Sequence, residues 1–228
     1  MSRSRTRFAA ALVFGLAFLI SGTRGTSASE TLASADFDGD SVGDHAINAG
    51  TPTVSEAVYD DSDTSGGWSE VAYYGTGKRY RLSDAGTSGG RRGIRAPLSR
   101  TVSSGTLVAS AVVTAGQTGD GGVLCVSDPA DPEWLGMVKF GADGKFNVHG
   151  SATTASYTVG DRYQVVITVA FGTDGHVDYA ITDLTTSSSV LTSSGHSLAS
   201  GAEAGSVKFS TGTTDDGGYT IDDILATL

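Results

Sequence analysis

Between Arg162 and Phe171 the chain alternates strictly: Tyr163, Val165, Ile167, Val169 and Phe171 fall on one side, Arg162, Gln164, Thr168 and Ala170 on the other. Successive side chains of an extended strand point to opposite faces, so a period of two predicts a strand with one buried and one wetted face. The same count puts Tyr80 and Leu82 on a core face opposite Arg79 and Arg81, and Ile94, Ala96 and Leu98 opposite Arg95. Phe146 and Val148 likewise oppose Lys145, Asn147 and His149. Val177, Tyr179 and Ile181 form another apolar set, as do Val207 and Phe209, which leave Lys208 outward.

What separates these runs is turn chemistry. The chain holds 32 glycines, and the stretches between them are rich in the β-branched and aromatic residues that favour strands. Asp143-Gly144, between Phe140 and Phe146, reads as a hairpin turn, and Phe171 to Val177 reads as a second. No helical period of useful length follows residue 30, and no repeat of about 20 to 50 residues recurs. Short strands between Gly, Asp and Ser turns predict an all-β, antiparallel sandwich or barrel.

The beginning of the chain has a different logic. Arg3, Arg5 and Arg7 precede an apolar run from Phe8 to Ile20, and small residues follow around Thr26, Ser27 and Ala28. An apolar run of roughly 13 residues suits a secretory signal and falls short of the roughly 20 that cross a bilayer as a helix. Cleavage is expected after Ala28, leaving residues 29–228 as one domain, secreted, periplasmic or at the cell surface. Residues 1–28 hold four arginines and no carboxylate, so their removal takes the formal net charge from −10 to −14. Such a surface repels nucleic acid and anionic membranes, neither of which is an expected partner. A monomer is expected. The lone Cys125 allows no internal disulfide, and its strand-like setting, Gly122-Val-Leu-Cys-Val-Ser127, makes it a small buried apolar residue.

Two end segments carry a resemblance. Ala35-Asp-Phe-Asp-Gly-Asp-Ser-Val-Gly43 and Gly218-Tyr-Thr-Ile-Asp-Asp-Ile-Leu225 resemble the first and last strands of the concanavalin A-like (laminin G-like) jelly rolls of bacterial secreted proteins. Tyr80-Arg-Leu-Ser-Asp84 resembles that group's early strand and Asp161 to Val169 its long central one. The resemblance covers nearly all of the mature chain and implies an antiparallel jelly-roll β-sandwich whose first and last strands lie side by side. It also implies a structural Ca²⁺ joining those strands, with Asp38 and Asp222 as matching ligands and Asp36, Asp40 and Asp223 as further candidates. Hard oxygen ligands suit that ion. An EF-hand loop starting at Asp36 is excluded, because the sixth position is Ser41 and the twelfth Ile47.

For chemistry, the five glutamates, Glu30, Glu56, Glu70, Glu133 and Glu203, never form the Glu-x-Asp-x-x-Glu strand that the hydrolases of this fold use, which argues against two-carboxylate hydrolysis. A polysaccharide lyase would instead draw on a cation to neutralise a uronate and a residue to move a proton, for which Arg81, Arg95, Lys139 and His149 are candidates. His45, His149, His176 and His196 have no zinc-like spacing. A glycan-binding site needs aromatic faces and planar donors. Arg79, Arg81, Arg95, Trp134, Lys139 and His149 supply them, and they are expected to meet on the concave sheet. The expectation favoured here is carbohydrate binding without turnover. A uronate lyase is the alternative, and a structural or adhesive surface protein the second alternative.

Overall fold

The structure, a computed structural model, describes residues 29–38, 57–60, 68–74, 77–83, 92–116, 121–129, 134–211 and 218–228. Residues 1–28, expected to be a signal, and Asp40 lie outside them. Among the described residues every regular element is a strand: Thr31–Ala35 (β1), Ala57–Asp60 (β2), Trp68–Tyr74 (β3), Gly77–Ser83 (β4) and Arg92–Val102 (β5). Thr106–Ala115 (β6), Val123–Ser127 (β7), Trp134–Phe140 (β8), Lys145–Val148 (β9) and Ser151–Ser156 (β10) follow. Arg162–Ala170 (β11), His176–Asp183 (β12), Ser188–Ser197 (β13), Ala204–Ser210 (β14) and Gly218–Thr227 (β15) complete the chain.

These strands form two antiparallel sheets packed as a jelly-roll β-sandwich. One has eight strands, in the order β13-β12-β11-β6-β15-β4-β3, with β1 on β15; the other has seven, in the order β10-β9-β8-β7-β14-β5-β2. The strand read from residues 162–171 is β11, and its burial alternates as expected, with Tyr163, Val165, Ile167 and Val169 all at 2 % exposure or less. Both hairpins form. Phe140 pairs with Phe146 across Asp143-Gly144, where Gly144 takes φ 73°, a left-handed conformation that glycine adopts without strain. Ala170 pairs with His176 across the second turn.

The first and last strands lie side by side, Ala35 opposite Ile224. β15 pairs with β4 through Gly218 to Ile221, then with β1 from Ile224 onward. The handover falls at Asp222-Asp223, where the ladder to β6 shifts register and Asp223 takes φ 49°. Both aspartates therefore sit at a bulge, where a strand can re-aim side chains.

Without a disulfide, the core rests on packing. Phe140 makes tilted or edge-to-face contacts with Phe146, Tyr157, Tyr163 and Tyr219 at centroid distances of 5.0 to 6.2 Å. Two of the polar tips are hydrogen-bonded: Tyr157 Oη donates to the Gly141 carbonyl at 2.8 Å, and Tyr163 Oη accepts from the Thr158 amide at 2.7 Å. Burying each large apolar side chain contributes about 1.5–3 kcal/mol. Cys125 is buried, 4 % exposed, its thiol pushed up to about 12 by burial.

Candidate functional site

Alternation settles which face each basic residue takes, but the two sheets put their outer faces on opposite sides of the sandwich. Arg79 and Arg81 flank the buried Tyr80 on β4 and point outward from the eight-stranded sheet. Arg95, between buried Ile94 and Ala96 on β5, and Lys139, between buried Val138 and Phe140 on β8, point outward from the seven-stranded sheet. The six residues expected to converge on one concave face are thus divided between two faces and a rim. Period two names a face and not a sheet.

On the seven-stranded sheet the register builds a row. Ala57 faces Arg95, Arg95 faces Lys208, Lys208 faces Cys125, and Cys125 faces Met137. One step along, Val123 faces Lys139 and Lys139 faces Asn147. Lys208, read from sequence simply as outward, does face away from the core but is only 7 % exposed, and burial holds its ammonium below the usual lysine range. Trp134 opens β8 opposite Ser127 and is 45 % exposed, an apolar platform at the end of the strand that carries Lys139.

His149 leaves this face altogether. Its φ of 49° and the 78° of Gly150 turn the chain just past β9, and the ring swings to the rim between the sheets. There His149 Nδ1 lies 2.9 Å from Tyr179 Oη, which also accepts the Met137 amide at 3.2 Å. His196 of β13 stacks 5.1 Å from the His149 ring and 5.2 Å from that of Tyr179, and its Nε2 is 2.8 Å from Ser193 Oγ. Burial first, and the neighbouring His196 second, hold the His149 imidazole below its ordinary range. Burial lifts the Tyr179 phenol to about 12. Tyr179, at 2 % exposure, is out of reach of a polymer and acts as a positioning residue for His149. Sequence reading placed Tyr179 in the core and passed over His196, since only the sandwich brings β9, β12 and β13 together at the rim.

The aspartates expected to hold calcium gather around the β15 bulge. The Asp222 carboxylate lies 3.7 Å from Arg79 Nε, and Arg79 also reaches Thr114 Oγ1 at 3.4 Å. Asp38 Oδ1 accepts the Lys78 amide at 2.9 Å, while Lys78 Nζ donates to the Asp38 carbonyl at 3.0 Å. Burial, then Asp223, raises the Asp222 carboxyl to about 7; burial also raises Asp223, with Asp36 and Asp38 adding to the rise and Arg162 opposing it. The raised values of Asp222 and Asp223, led by burial, mean that Arg79 and Arg162 undercompensate that pair, so an added cation would relieve it. Among the described residues, no three His, Cys, Asp or Glu side chains are arranged to hold a metal ion. The donor chemistry fits Ca²⁺, whereas the arrangement is already engaged by the chain's own cations.

No protein-family model matches the chain, and no curated protein sequence matches it. Solved structures do match. A PL-14 alginate lyase from Aplysia kurodai aligns with TM-score 0.63 and 12 % identity over 86 % of this chain and 98 % of its own. A sialidase aligns with TM-score 0.62 and 17 % identity over 87 % of this chain, which spans only 18 % of the sialidase. A carbohydrate esterase of the Shiga toxin-encoding bacteriophage phi24B aligns with TM-score 0.53 and 11 % identity, covering 88 % of this chain and 99 % of that one. At these identities the likeness establishes a shared β-sandwich fold.

Proposed function

We propose that this chain is an exported carbohydrate-binding β-sandwich that holds a polysaccharide against the outer face of its seven-stranded sheet without cleaving it. The observation that carries the reading is the placement of Trp134, an exposed ring at the end of the strand bearing Lys139, on a face that also presents Arg95 and Asn147. A ring that can stack on a sugar, beside donors that can take paired hydroxyls, is the minimal equipment for glycan binding. The fold-level likeness to carbohydrate-active proteins raises the prior and is analogy only.

The alternative, β-elimination on a uronate glycan, draws on the full-length likeness to the alginate lyase. It requires a neutralising cation and a proton-transfer group on the same sugar. Arg95 and His149 stand four strands apart, roughly 19 Å at about 4.8 Å per strand, and although Lys139 faces Asn147 on the strand that His149 follows, Lys139 points outward from the sheet while the His149 ring turns to the rim. That geometry favours binding over turnover. Calcium at Asp36, Asp38, Asp222 and Asp223 belongs to the same proposal as a clip between β1 and β15 that takes no part in binding.

Incubation of the purified protein with neutral and uronate polysaccharides tests both readings, with retention and the ultraviolet absorbance of an unsaturated product followed together. Retention without product is expected, along with an about tenfold weaker retention for Trp134→Ala, equivalent to about 1.4 kcal/mol. Unsaturated product would replace the binding reading with the lyase one. No retention would leave a structural or adhesive role.

A further inference from the structure

Where β7 ends and β8 begins, an open cavity of about 360 Å³ is lined by Asp128, Pro129, Leu135, Ala199, Ala202 and Glu203. That volume lies at the lower end of the roughly 300–1,000 Å³ typical of small-molecule sites. One wall is fixed by close backbone approach, since a Cβ added at Gly205 would lie 2.6 Å from the Pro129 Cα. Ser127 and Ser206, the residues flanking it on β7 and β14, are buried and bonded to each other at 2.8 Å. Asp128 brings a carboxylate whose Oδ1 is shielded from water and has no hydrogen-bond partner. A shielded acceptor without a donor is a standing cost of about 1–3 kcal/mol. Glu203 adds an exposed carboxylate to the lining. Trp134 precedes the lining residue Leu135 in sequence and pairs with Ser127, the neighbour of Asp128.

We propose that this cavity is a sugar subsite that selects rings offering hydroxyl or ammonium donors and rejects uronates. Ionised carboxylates only accept hydrogen bonds. Asp128, whose charge the nearby Lys208 ammonium partly offsets, and Glu203 therefore favour vicinal hydroxyls or an amino group over a sugar carboxylate, with Trp134 as the stacking face beside them. The proposal rests on the carbohydrate-binding reading and names the substrate class that reading leaves open.

Amide and indole NMR shifts of the ¹⁵N-labelled protein, titrated with hexamers of glucose, glucosamine and mannuronate, test it. The Leu135, Gly201 and Ala202 amides and the Trp134 indole are expected to move with glucose or glucosamine and stay still with mannuronate. Binding that weakens with salt for glucosamine alone would identify the ammonium as the ligand group, and salt-insensitive binding the hydroxyls. Asp128→Asn and Glu203→Gln are expected to weaken binding at least tenfold, with the two-sheet amide pattern unchanged. Shifts at Lys139 and Asn147 with a still cavity would overturn the subsite and leave the carbohydrate reading standing. Cavity shifts as large with mannuronate would overturn the selectivity. Shifts nowhere with any hexamer would overturn both.

Discussion

Replacing Asp222 by asparagine should stabilise the protein at neutral pH, and by progressively less as pH falls toward 3.8. The Asp222 carboxyl titrates at about 7 against an ordinary 3.8, chiefly because its side chain is only 14 % exposed and Asp223 is adjacent. For a carboxyl whose folded value is raised, the folded state holds the proton longer than the unfolded one. Stability is then highest below pH 3.8, falls as pH rises, and reaches its full penalty above about pH 7. Three pKa units at about 1.4 kcal/mol each give a penalty of about 4 kcal/mol. Asparagine keeps the shape and the Oδ1 that accepts the Asp223 amide at 3.0 Å, and gives up the 3.7 Å pairing with Arg79 and the attraction of Arg162. Urea denaturation at pH 5 and pH 8, in EDTA, should show the variant's advantage larger at pH 8 than at pH 5 by about 2–3 kcal/mol. Equal midpoints at both values, or a weaker variant at pH 8, would refute the reasoning. Calcium enters with opposite consequences for the two proteins. A bound cation favours the ionised carboxylate, so on the calcium proposal millimolar Ca²⁺ should restore wild-type stability at pH 8 and do nothing for the variant.

The rim cluster gives two more expectations. Tyr179→Phe removes the acceptor of the Met137 amide and the partner of His149 Nδ1, and should lower stability by about 1–3 kcal/mol in urea denaturation; unchanged glycan retention would confirm that the phenol positions His149 and does not touch ligand. The His149 ring should titrate below 6.5 by NMR, since burial and then His196 favour its neutral form, and His196→Gln should move it part of the way back. Its folded value being depressed, this residue's contribution to stability is present above pH 6.5 and is lost as pH falls through the window below it.

Much of the fold was legible because core-forming strands write their burial into the chain at period two. β11 is the clear case, its four core residues alternating without a break, and the Asp143-Gly144 turn fixed the register of its hairpin. The pairing of the end strands rested on the resemblance alone, and Ala35 opposite Ile224 agrees with it. The lone cysteine also behaved as its neighbours implied, buried and without a titrating role near neutrality.

The candidate site was legible only residue by residue, and the reason is geometric. Alternation assigns Arg81 and Arg95 equally to a wetted face, because both lie between core residues. Whether they meet depends on which sheet each strand joins, and that is decided by long-range ladders, β4 with β15 and β5 with β14, which no local pattern encodes. A sandwich has two outer faces, so residues on outward positions of different sheets end up a full domain thickness apart. The rim reverses the lesson. His149 has the alternation of an outward residue, yet a single left-handed turn sends its ring to Tyr179, which sequence reading had placed in the core. Sites formed where two sheets meet thus recruit one residue from the core pattern and one from its exception, and neither carries a mark in the sequence.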